Sequence, residues 1–370
     1  MHVVVTGGAG FIGSHLADEL FDYGYTVRVL DNLDPQVHRT RQRPAYLRPG
    51  VELVVGDVRD LACVRRCLRG ADAVVHLAAK VGVGQSMYEI GTYSSVNEVG
   101  TATLLQAMIG LPVRKLLVAS SMSIYGEGLM SDERGRPVET IERTADDLRR
   151  GEWDPKDAAG RFLRPLPTPE DKRPILNSVY ALGKFAQERM CLITGRAYGI
   201  ETTALRFFNV YGPRQALSNP YTGVIAIFAA RLLNSQPPLV FEDGEQRRDF
   251  VHVRDVARAC RLALETGKGT GQAINIGSGN SISIIEIAEK LIEALRLGHE
   301  VRPQITGQFR VGDIRHCFAD VGRARRVLGF EAKVRFDEGL RELVEWLSGE
   351  PAVDLTSMAL NELASRGLVA

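Results

Sequence analysis

The chain opens with the stretch His2-Val3-Val4-Val5-Thr6-Gly7-Gly8-Ala9-Gly10-Phe11-Ile12-Gly13, and this stretch decides the predicted fold. A continuous apolar strand ends at Thr6, and helical spacing begins at Phe11. The glycines of the turn between them recur every third residue, which allows a tight turn, a close approach of the backbone to a pyrophosphate, and close packing of helix on strand. The helix N-terminus adds free N–H groups and a positive dipole end. We therefore predict a dinucleotide-binding turn. Its predicted cofactor-binding residues are Gly7, Gly10, Phe11, Ile12 and Gly13.

Short β-branched strands alternate with helical patterns through the first half of the chain, which is typical of a parallel sheet with crossover helices. The predicted strands cover residues 2–6, 26–30, 51–55, 73–76, 115–119, 202–207 and 273–276. The predicted helices cover residues 11–23, 58–68, 93–109, 144–150, 178–198, 224–234 and 284–295. The predicted fold class is α/β: a Rossmann-type doubly wound parallel sheet with a smaller, discontinuous α/β C-terminal substrate domain. The predicted boundaries are 1–208 for the first domain with an insertion at 127–174, 209–350 for the second with some segments returning to the sheet, and 351–370 for a tail.

The composition argues against several classes of protein. Among 370 residues, 46 Lys and Arg balance 45 Asp and Glu, so the net charge of +1 provides no field for holding nucleic acid or an anionic membrane surface. No apolar run approaches the roughly 20 residues that span a bilayer. The five cysteines are scattered, as reduced thiols in a cytoplasmic protein are. Cys63 and Cys67 share a helix face, but no further ligand lies near them, and we assign no metal.

Carboxylates at two predicted strand ends indicate which dinucleotide binds. Asp31, followed by Asn32, ends the second strand, where a carboxylate accepts both ribose hydroxyls of an adenosine and repels a 2′-phosphate. The sequence therefore predicts NAD rather than NADP. Asp57 follows the third strand and is expected to meet the adenine amino group. We interpret Arg39, Arg41 and Arg43 as a solvated loop.

Hydroxyl groups at the end of the fifth strand indicate the reacting end of the cofactor. Ser120, Ser121 and Ser123 lie where parallel strands face the ligand crevice. Further along, Tyr180 and Lys184 are four residues apart on one helix face. A free tyrosine has a pKa near ~10. A lysine ammonium one turn away, with the positive nicotinamide ring, is expected to lower this pKa so that Tyr180 takes a proton from a sugar hydroxyl.

These motifs together resemble the extended short-chain dehydrogenase/reductase family, specifically its nucleotide-sugar epimerases and dehydratases. The resemblance covers roughly residues 1–345. The motifs that carry it are Gly7–Gly13, Asp31, Asp57, Asn97-Glu98-Val99-Gly100-Thr101, Ser121, Tyr180 with Lys184, Arg206-Phe207-Phe208-Asn209-Val210-Tyr211-Gly212-Pro213, and Arg248-Asp249-Phe250-Val251-His252-Val253.

The resemblance implies a set of roles for individual residues. Tyr180, Lys184 and Ser121 match the catalytic residues, with Ser121 bonding the reacting sugar oxygen. Further implied cofactor contacts are Val58, Leu77, Ala78, Ala79 and Asn97. Asn209, Arg248, Arg310 and Asp313 match the nucleotide-diphosphate side of the substrate site. The helices over residues 93–109 and 178–198 match those by which relatives dimerise, so a homodimer is expected.

The residues after Ser121 indicate the reaction. Related dehydratases carry an Asp-Glu pair there and related decarboxylases a glutamate, whereas this chain has Met122 and Ser123, which cannot shuttle that proton. The predicted reaction is therefore 4-epimerisation with tightly bound NAD, by hydride removal at sugar C4 and its return to the other face. Two loop sequences look most like dTDP-L-rhamnose 4-epimerases, although cysteine pairs that many of those carry in the insertion are missing here.

Other functions and contacts remain open at this level. The alternatives are a UDP-glucuronate or UDP-glucose type 4-epimerase, a net NAD-dependent nucleotide-sugar dehydrogenase, and a nucleotide-sensing scaffold, against which the intact Ser121, Tyr180 and Lys184 argue. We further hypothesise that Gln85, Ser86, Met122 and Ser123 contact the hexose. A second hypothesis makes residues 127–174 a lid over the sugar.

Overall fold

The computed structural model describes most of the chain, namely residues 1–38, 40–138, 142–217, 219, 221, 223–298, 300–310, 312–349 and 354–369. Arg39 of the predicted solvated loop and residues 351–353 and 370 of the predicted tail lie outside these ranges. No helix within the ranges combines the length and the apolar character needed to cross a membrane.

Strands and helices alternate along the chain. The strands are β1 His2–Thr6, β2 Thr26–Asp31, β3 Glu52–Val55, β4 Ala73–His76, β5 Lys115–Ser121, β6 Met130–Ser131, β7 Pro137–Val138, β8 Arg164–Pro165, β9 Glu201–Phe207, β10 Asn209–Tyr211, β11 Leu239–Val240, β12 Arg247–His252, β13 Ala273–Ile276, β14 Ser281–Ser283, β15 Gln304–Ile305 and β16 His316–Cys317. The helices are α1 Phe11–Asp22, α2 Leu61–Cys67, α3 Val83–Ser86, α4 Ile90–Ser94, α5 Gly100–Met108, α6 Ala145–Arg149, α7 Val179–Tyr198, α8 Val224–Leu233, α9 Val253–Thr266, α10 Ile284–Ala294, α11 Gly322–Leu328, α12 Phe336–Leu347 and α13 Thr356–Ser365.

The main sheet has seven parallel strands in the order β13-β9-β5-β4-β1-β2-β3. The strand order reverses between β1 and β4, because β2 and β3 extend the sheet to one side while β5, β9 and β13 extend it to the other. Ligand crevices in open parallel sheets lie at such a reversal, outside the carboxyl ends of the strands. The prediction of a Rossmann-type doubly wound sheet is therefore confirmed.

Helices cover both faces of this sheet, which explains why its strands are apolar throughout. In β1, Val3 and Val5 pack with buried residues of α1, α9 and α11 on one face. Val4 packs with buried residues of α2, α5 and α7 on the other. Burial on both faces removes the alternation of polar and apolar residues that a half-exposed strand shows.

Two helix boundaries differ from their predictions for local reasons. The helix predicted from residue 58 begins at Leu61, because the Asp60 side chain accepts bonds from Ala62 N at 2.9 Å and Cys63 N at 3.1 Å and so caps it. The helix predicted over residues 93–109 consists of α4, a π-helical segment over Ser95–Val99, and α5. Such π segments widen a helix locally and are frequent beside functional sites.

The insertion docks on the C-terminal part of the chain through buried ion pairs. Its described residues form the small sheet β7-β6-β8 and the helix α6, which Thr144 caps. Arg143 lies 3.1 Å from Glu127 and 2.8 Å from Glu242, with all three side chains at most 4% exposed. Arg315 lies 3.0 Å from Glu242 and 2.8 Å from Asp154. Of these contacts, Arg143 with Glu242 joins residues 99 positions apart in the sequence, and Asp154 with Arg315 joins residues 161 positions apart.

A second, smaller set of strands follows the main sheet in the chain. β12 lies between β10 and β14 and also pairs with β16, and α8, α10 and α12 share one apolar cluster with β10. β13 returns to the edge of the main sheet and pairs with β9. The domain boundaries at residues 208 and 350 stay a prediction. In the tail, α13 places Leu363 against Gly84, and Arg366 stacks on Tyr88 at 4.4 Å.

Candidate functional site

A cleft of about 450 Å³ lies at the carboxyl ends of the strands where the order of the main sheet reverses. The predicted cofactor residues that line it are Gly7, Gly10, Phe11, Ile12, Gly13, Asp31, Asn32, Asp57, Val58, Leu77, Ala78, Ala79, Tyr180 and Lys184. The predicted substrate residues that line it are Ser121, Met122, Ser123 and Asn209. The structure thus brings into one cleft most of the residues that the sequence selected from seven separate segments.

The glycine turn has the conformation and the close packing that only glycine permits. Gly7 has φ +68°, and a Cβ there would lie 2.9 Å from Ala78 N. A Cβ on Gly13 would lie 2.2 Å from Gly7 O, so α1 reaches the turn only because this residue has no side chain. A Cβ on Gly10 would meet the protein no closer than 3.4 Å, and Gly10 begins α1 without a side-chain cap. The first N–H groups of α1 therefore face the cleft uncapped, as an anion site at a helix N-terminus requires.

Asp31 and Asp57 line the other end of the cleft. The Asp31 carboxylate accepts bonds from Ala9 N at 3.0 Å and Leu33 N at 2.9 Å, so it also fixes the glycine turn. A carboxylate has further lone pairs for ribose hydroxyls. Asp57 pairs with Arg59 at 2.7 Å, and this partner lowers the pKa of the Asp57 carboxyl below its usual range.

The reacting end of the cleft holds Tyr180, Lys184 and Ser121. Helix α7 begins where Ser178 accepts a bond from Ala181 N at 3.1 Å, and this cap places Tyr180 in the first turn. Ser121 ends β5, and its side chain lies beside the Tyr180 phenol and acts to lower the pKa of that group. The Ser121 hydroxyl donates its proton to Ser123 Oγ at 3.1 Å. A phenol, an ammonium and two hydroxyls thus share one wall, which suits proton exchange with a sugar hydroxyl.

Burial controls the protonation of this group. It raises the pKa of Tyr180, and Ser121 offsets only part of that rise. Burial also lowers the pKa of Lys184 to about 8. The Lys184 ammonium donates to Gln187 Oε1 at 2.8 Å. The expectation that Lys184 lowers the Tyr180 pKa is therefore not met by the protein groups alone, because burial is the largest cause of the shift and Ser121 is the group that opposes it.

A buried ion pair behind this wall has no counterpart in the sequence predictions. Glu188 accepts bonds from Arg206 at 2.7 and 2.9 Å and from Ser120 Oγ at 2.7 Å. Arg206 also donates to the Tyr125 hydroxyl at 2.9 Å. The network joins α7 to β5 and β9 directly below the reacting wall. Only the spacing of Glu188, two helical turns after Tyr180, could have indicated it.

Asn209 is the predicted substrate residue with the clearest capacity to bind. It lines the cleft, and its Oδ1 atom is buried without a hydrogen-bond partner in the structure. A buried acceptor without a partner costs free energy unless something else satisfies it. A ligand donor in the cleft would do so, although Asn209 was chosen only through the family resemblance.

Gln85, Ser86 and Asn97 lie behind the cleft wall instead of lining it. The Ser86 hydroxyl donates to Val83 O at 2.6 Å and accepts from Tyr180 N at 3.1 Å, so it is used both as a donor and as an acceptor within the protein. Asn97, in the π-helical segment, bonds the backbone of Lys80 through its Oδ1 at 2.7 Å and its Nδ2 at 3.1 Å. In the described structure these three residues do not line the cleft, and their contacts with hexose or cofactor stay a prediction.

Arg248, Arg310 and Asp313 also lie outside the cleft lining. Arg248 donates to Arg315 O at 2.9 Å and lies 3.6 Å from Asp313. Arg310 stacks on Phe241 at 4.2 Å, and its Nε atom is buried without a partner. Arg248 and Asp313 therefore lie close together, but the Arg248 guanidinium is hydrogen-bonded to backbone carbonyls. Val311 between them lies outside the described residues.

The described insertion does not reach the cleft. None of residues 127–138 or 142–174 lines it, and the insertion packs instead on β16 and the segment after it, where Thr168 N donates to Phe318 O at 2.8 Å. The hypothesis of a lid over the sugar is therefore wrong for this arrangement, because the buried ion pairs hold the insertion elsewhere.

A polar cluster of Lys80, Gln36 and Asp34 that lines the cleft has no counterpart in the sequence predictions. The Lys80 ammonium donates to Gln36 Oε1 at 2.6 Å and lies 3.5 Å from Asp34. Gln36 also donates to Asn219 Oδ1 at 3.1 Å. These residues come from three loops that meet over the cleft, and no local motif joins them in the sequence.

The cleft fits NAD on the evidence of its own groups. The uncapped α1 N-terminus and the turn that a Cβ would fill suit a pyrophosphate, and Asp31 suits an adenosine ribose without a 2′-phosphate. The residues that would hold NAD are those of the glycine turn, Asp31, and the loop Leu77–Ala79. Tyr180 and Lys184 line the end that a nicotinamide would reach.

The chain is similar to known proteins over nearly its whole length. Residues 3–144 and 160–277 match the NAD dependent epimerase/dehydratase family. A dTDP-L-rhamnose 4-epimerase of Burkholderia thailandensis is 36% identical over 353 residues, covering 94% of this chain and 95% of that protein. The UDP-glucose 4-epimerase of Thermotoga maritima, solved with UDP-glucose, superposes with a TM-score of 0.77 at 32% identity, covering 94% of this chain and 99% of that one.

The structure of a third relative contains both a nucleotide sugar and NAD. The UDP-glucuronic acid 4-epimerase of Bacillus cereus, in complex with UDP-glucuronic acid and NAD, has a TM-score of 0.76 at 27% identity, covering 94% of this chain and 99% of that one. The predictions of the family, of an epimerase-type enzyme and of NAD as the cofactor are confirmed. With its glycine turn, its Asp31 and its Ser121, Tyr180 and Lys184 in one cleft, the chain belongs to the NAD dependent epimerase/dehydratase family.

Proposed function

We propose that this enzyme is a nucleotide-sugar 4-epimerase whose substrate is a dTDP-6-deoxyhexose such as dTDP-L-rhamnose. The observation that carries the reaction type is the placing of Ser121, Tyr180 and Lys184 together, followed by Met122 and Ser123 in the cleft lining. Water elimination and decarboxylation need an acid or base beside the reacting hydroxyl. Neither Met122 nor Ser123 supplies one at neutral pH.

The carboxylates of the cleft do not replace it. Among the described residues that line the cleft, they are Asp31, Asp34 and Asp57, which end or follow β2 and β3. Three strand spacings separate β5 from β2 in the sheet order, or roughly 14 Å at about 4.8 Å each, which keeps Asp31 and Asp57 away from Ser121. Asp34, on a loop, lies 3.5 Å from the Lys80 ammonium and is held in that ion pair. Proton transfer at Ser121 and Tyr180 therefore falls to those two residues.

The chain's own residues divide the proton chemistry between them. NAD, when bound, supplies the hydride acceptor and donor for the sugar carbon. Tyr180 takes the proton from the C4 hydroxyl and later returns it to the keto oxygen, while Ser121 holds that oxygen. Lys184, one helical turn further along α7, favours the phenolate form of Tyr180 through its positive charge. Because the hydride is returned, no net oxidation of the sugar occurs.

Two features support a neutral sugar. The cations among the described lining residues are Lys80, Lys184 and, when protonated, His38. Lys80 is paired with Asp34 and Gln36, and Lys184 donates to Gln187. His38 lies 3.6 Å from Asp31 at the adenosine end. No cation there is left for a glucuronate carboxylate, and Met122 offers apolar surface to a C6 methyl group.

A substrate panel and one variant test this proposal. Purified protein given dTDP- and UDP-sugars without added cofactor is expected to form the 4-epimer of a dTDP-6-deoxyhexose. Tyr180→Phe is expected to lower kcat by about 10³-fold, since it removes the acid and base, and to keep its bound NAD. Bound NAD is measured after acid release. A near-normal rate in Tyr180→Phe would refute the assignment of Tyr180 as the acid and base. Turnover of only UDP-glucose or UDP-glucuronate would contradict the proposed substrate and favour a UDP-sugar 4-epimerase.

We also propose a homodimer and a cytoplasmic location. Val99 beside α5 is 55% exposed, and Leu182 and Ile193 on α7 are 48% and 58% exposed. These apolar side chains lie on two helices that pack together, and a symmetric copy of the same face would cover them. The five cysteines are buried and unpaired, as in a reducing compartment. The mass of the protein in solution tests the dimer.

A further inference from the structure

A buried row of polar groups leads from Lys184 away from the cleft. Lys184 Nζ donates to Gln187 Oε1 at 2.8 Å, and Gln187 Nε2 donates to Thr101 Oγ1 at 2.9 Å. The Thr101 hydroxyl donates its own proton to Asn97 O at 2.5 Å. All four side chains are at most 3% exposed, so water does not compete for these bonds.

The hydrogen bonds of this row leave Gln187 one orientation. Because the Thr101 proton is used by Asn97 O, Thr101 Oγ1 faces Gln187 as an acceptor, and the amide N–H side must point to it. Ala78 O, 3.4 Å away, accepts from the same Nε2. The amide oxygen therefore faces Lys184, which has only donors.

His76 closes the row without adding charge. Its Nε2 lies 2.9 Å from Thr101 Oγ1 and its Nδ1 lies 2.7 Å from Thr6 Oγ1. Burial lowers the pKa of His76 to about 3, so the ring is neutral at physiological pH. A neutral ring there adds no positive charge beside the Lys184 ammonium.

The other titratable groups around Lys184 are committed or uncharged. Glu188 is paired with Arg206 at 2.7 Å. Burial raises the pKa of the Cys191 thiol to about 12, so it stays protonated. Tyr180 lies one helical turn away and is the residue on whose phenol the Lys184 charge acts in the proposed mechanism. Among the described residues, the acceptor that receives the Lys184 proton is thus the uncharged amide of Gln187.

We propose that Gln187 is a positioning residue, which holds the Lys184 ammonium with an uncharged acceptor so that its positive charge acts undiminished on Tyr180. The proposal rests on the proposed catalytic pair. An acceptor is needed because a buried ammonium without one loses its proton more readily. A neutral acceptor is needed because a carboxylate would pair with the ammonium and cancel its field at the phenol.

Two substitutions separate these two requirements. Gln187→Glu keeps an acceptor and adds a charge that stabilises the ammonium, so the Lys184 pKa rises while the field at Tyr180 falls. Gln187→Met keeps the volume and removes the acceptor, so the Lys184 pKa falls. The two variants are therefore expected to move the titration midpoint of Lys184 in opposite directions, each by about one pH unit.

The Lys184 midpoint can be measured without turnover. The NMR shift of the Lys184 side chain is followed against pH in NAD-loaded protein with isotope-labelled lysines, and its signal is assigned by its loss in Lys184→Met. Gln272→Glu makes the same chemical change at an exposed site, where Nε2 donates to Lys268 O, and it is expected to leave the midpoint unchanged. A midpoint unchanged in both Gln187 variants would overturn the proposal, and if Gln187→Glu does not fold, Gln187→Met decides alone.

Turnover adds a readout that a merely structural role would not produce. The alkaline limb of the kcat profile, where Lys184 loses its proton, is expected to move up in Gln187→Glu and down in Gln187→Met. Limbs that move together or not at all would contradict the proposal. If no nucleotide sugar is turned over even by the unaltered protein, the proposed function fails, and the Lys184 titration still decides the role of Gln187.

Discussion

The cofactor half and the substrate half of this molecule are built by different means. On the cofactor side, the turn from β1 to α1 and the cap at the start of α7 use residues within a few positions of one another. On the substrate side, Arg143 and Arg315 join residues separated by about a hundred positions or more. The glycine turn and the α7 cap are therefore specified locally, whereas the docking of the insertion depends on buried charges that meet only after the chain has folded.

The largest effect is expected in the substrate half, where a substitution removes a buried ion pair between distant segments. Arg143→Met leaves Glu127 without its ion-pair partner and removes one of two from Glu242, all in side chains at most 4% exposed. We expect a loss of about 3–5 kcal/mol in the free energy of unfolding, because one partner of a buried ionic network is removed. Chemical denaturation measures this. The exposed pair is the control: Arg136→Met, at a side chain 68% exposed, should cost at most about 1 kcal/mol.

A smaller effect is expected at the local half. In Gly13→Ala the new Cβ would lie 2.2 Å from Gly7 O, so the turn or α1 must shift. We expect a loss of about 1–3 kcal/mol in stability and a lower NAD content in the purified protein. Gly91→Ala is the matched control, since nothing lies within 4 Å of its Cβ position. An unchanged NAD content in Gly13→Ala would show that the turn is less tightly specified than its geometry indicates.

The smallest effect is expected from removing a helix N-cap, and each half of the molecule offers one. Ser178 caps α7 and Thr144 caps α6, each accepting a backbone bond at 3.1 Å. Replacing either by Ala should cost about 1 kcal/mol of stability. Only Ser178→Ala is expected to lower kcat as well, because α7 carries Tyr180 and Lys184. Equal losses of kcat in both variants would mean that the insertion influences the reacting wall after all.

Prediction from sequence succeeded where the signal was local or periodic. The glycine spacing, the apolar strands and the carboxylate at the end of β2 each report a requirement within one segment, and all of them lead to the observed cleft. Ser86 was selected from a loop motif in the same way, but its hydroxyl is used by Val83 O and Tyr180 N. The motif could locate the residue near the site without showing which way its side chain is committed.

Where the prediction failed, the decisive partners are distant in the sequence. The insertion was expected to cover the sugar. Nothing within residues 127–174 shows that Glu242 and Arg315 will hold it against the C-terminal part of the chain. The pKa of Tyr180 was expected to fall beside Lys184, but helical spacing does not reveal how deeply both groups are buried.

The sequence by itself determined the parallel sheet, the dinucleotide turn and the chemical identity of the reacting groups, because backbone conformation and hydrophobic period are properties of neighbouring residues. The tertiary structure alone decided which acceptors face Lys184, which hydroxyls remain open to a ligand and where the insertion packs. Those outcomes depend on desolvation and on contacts between distant segments, and both exist only once the chain is folded.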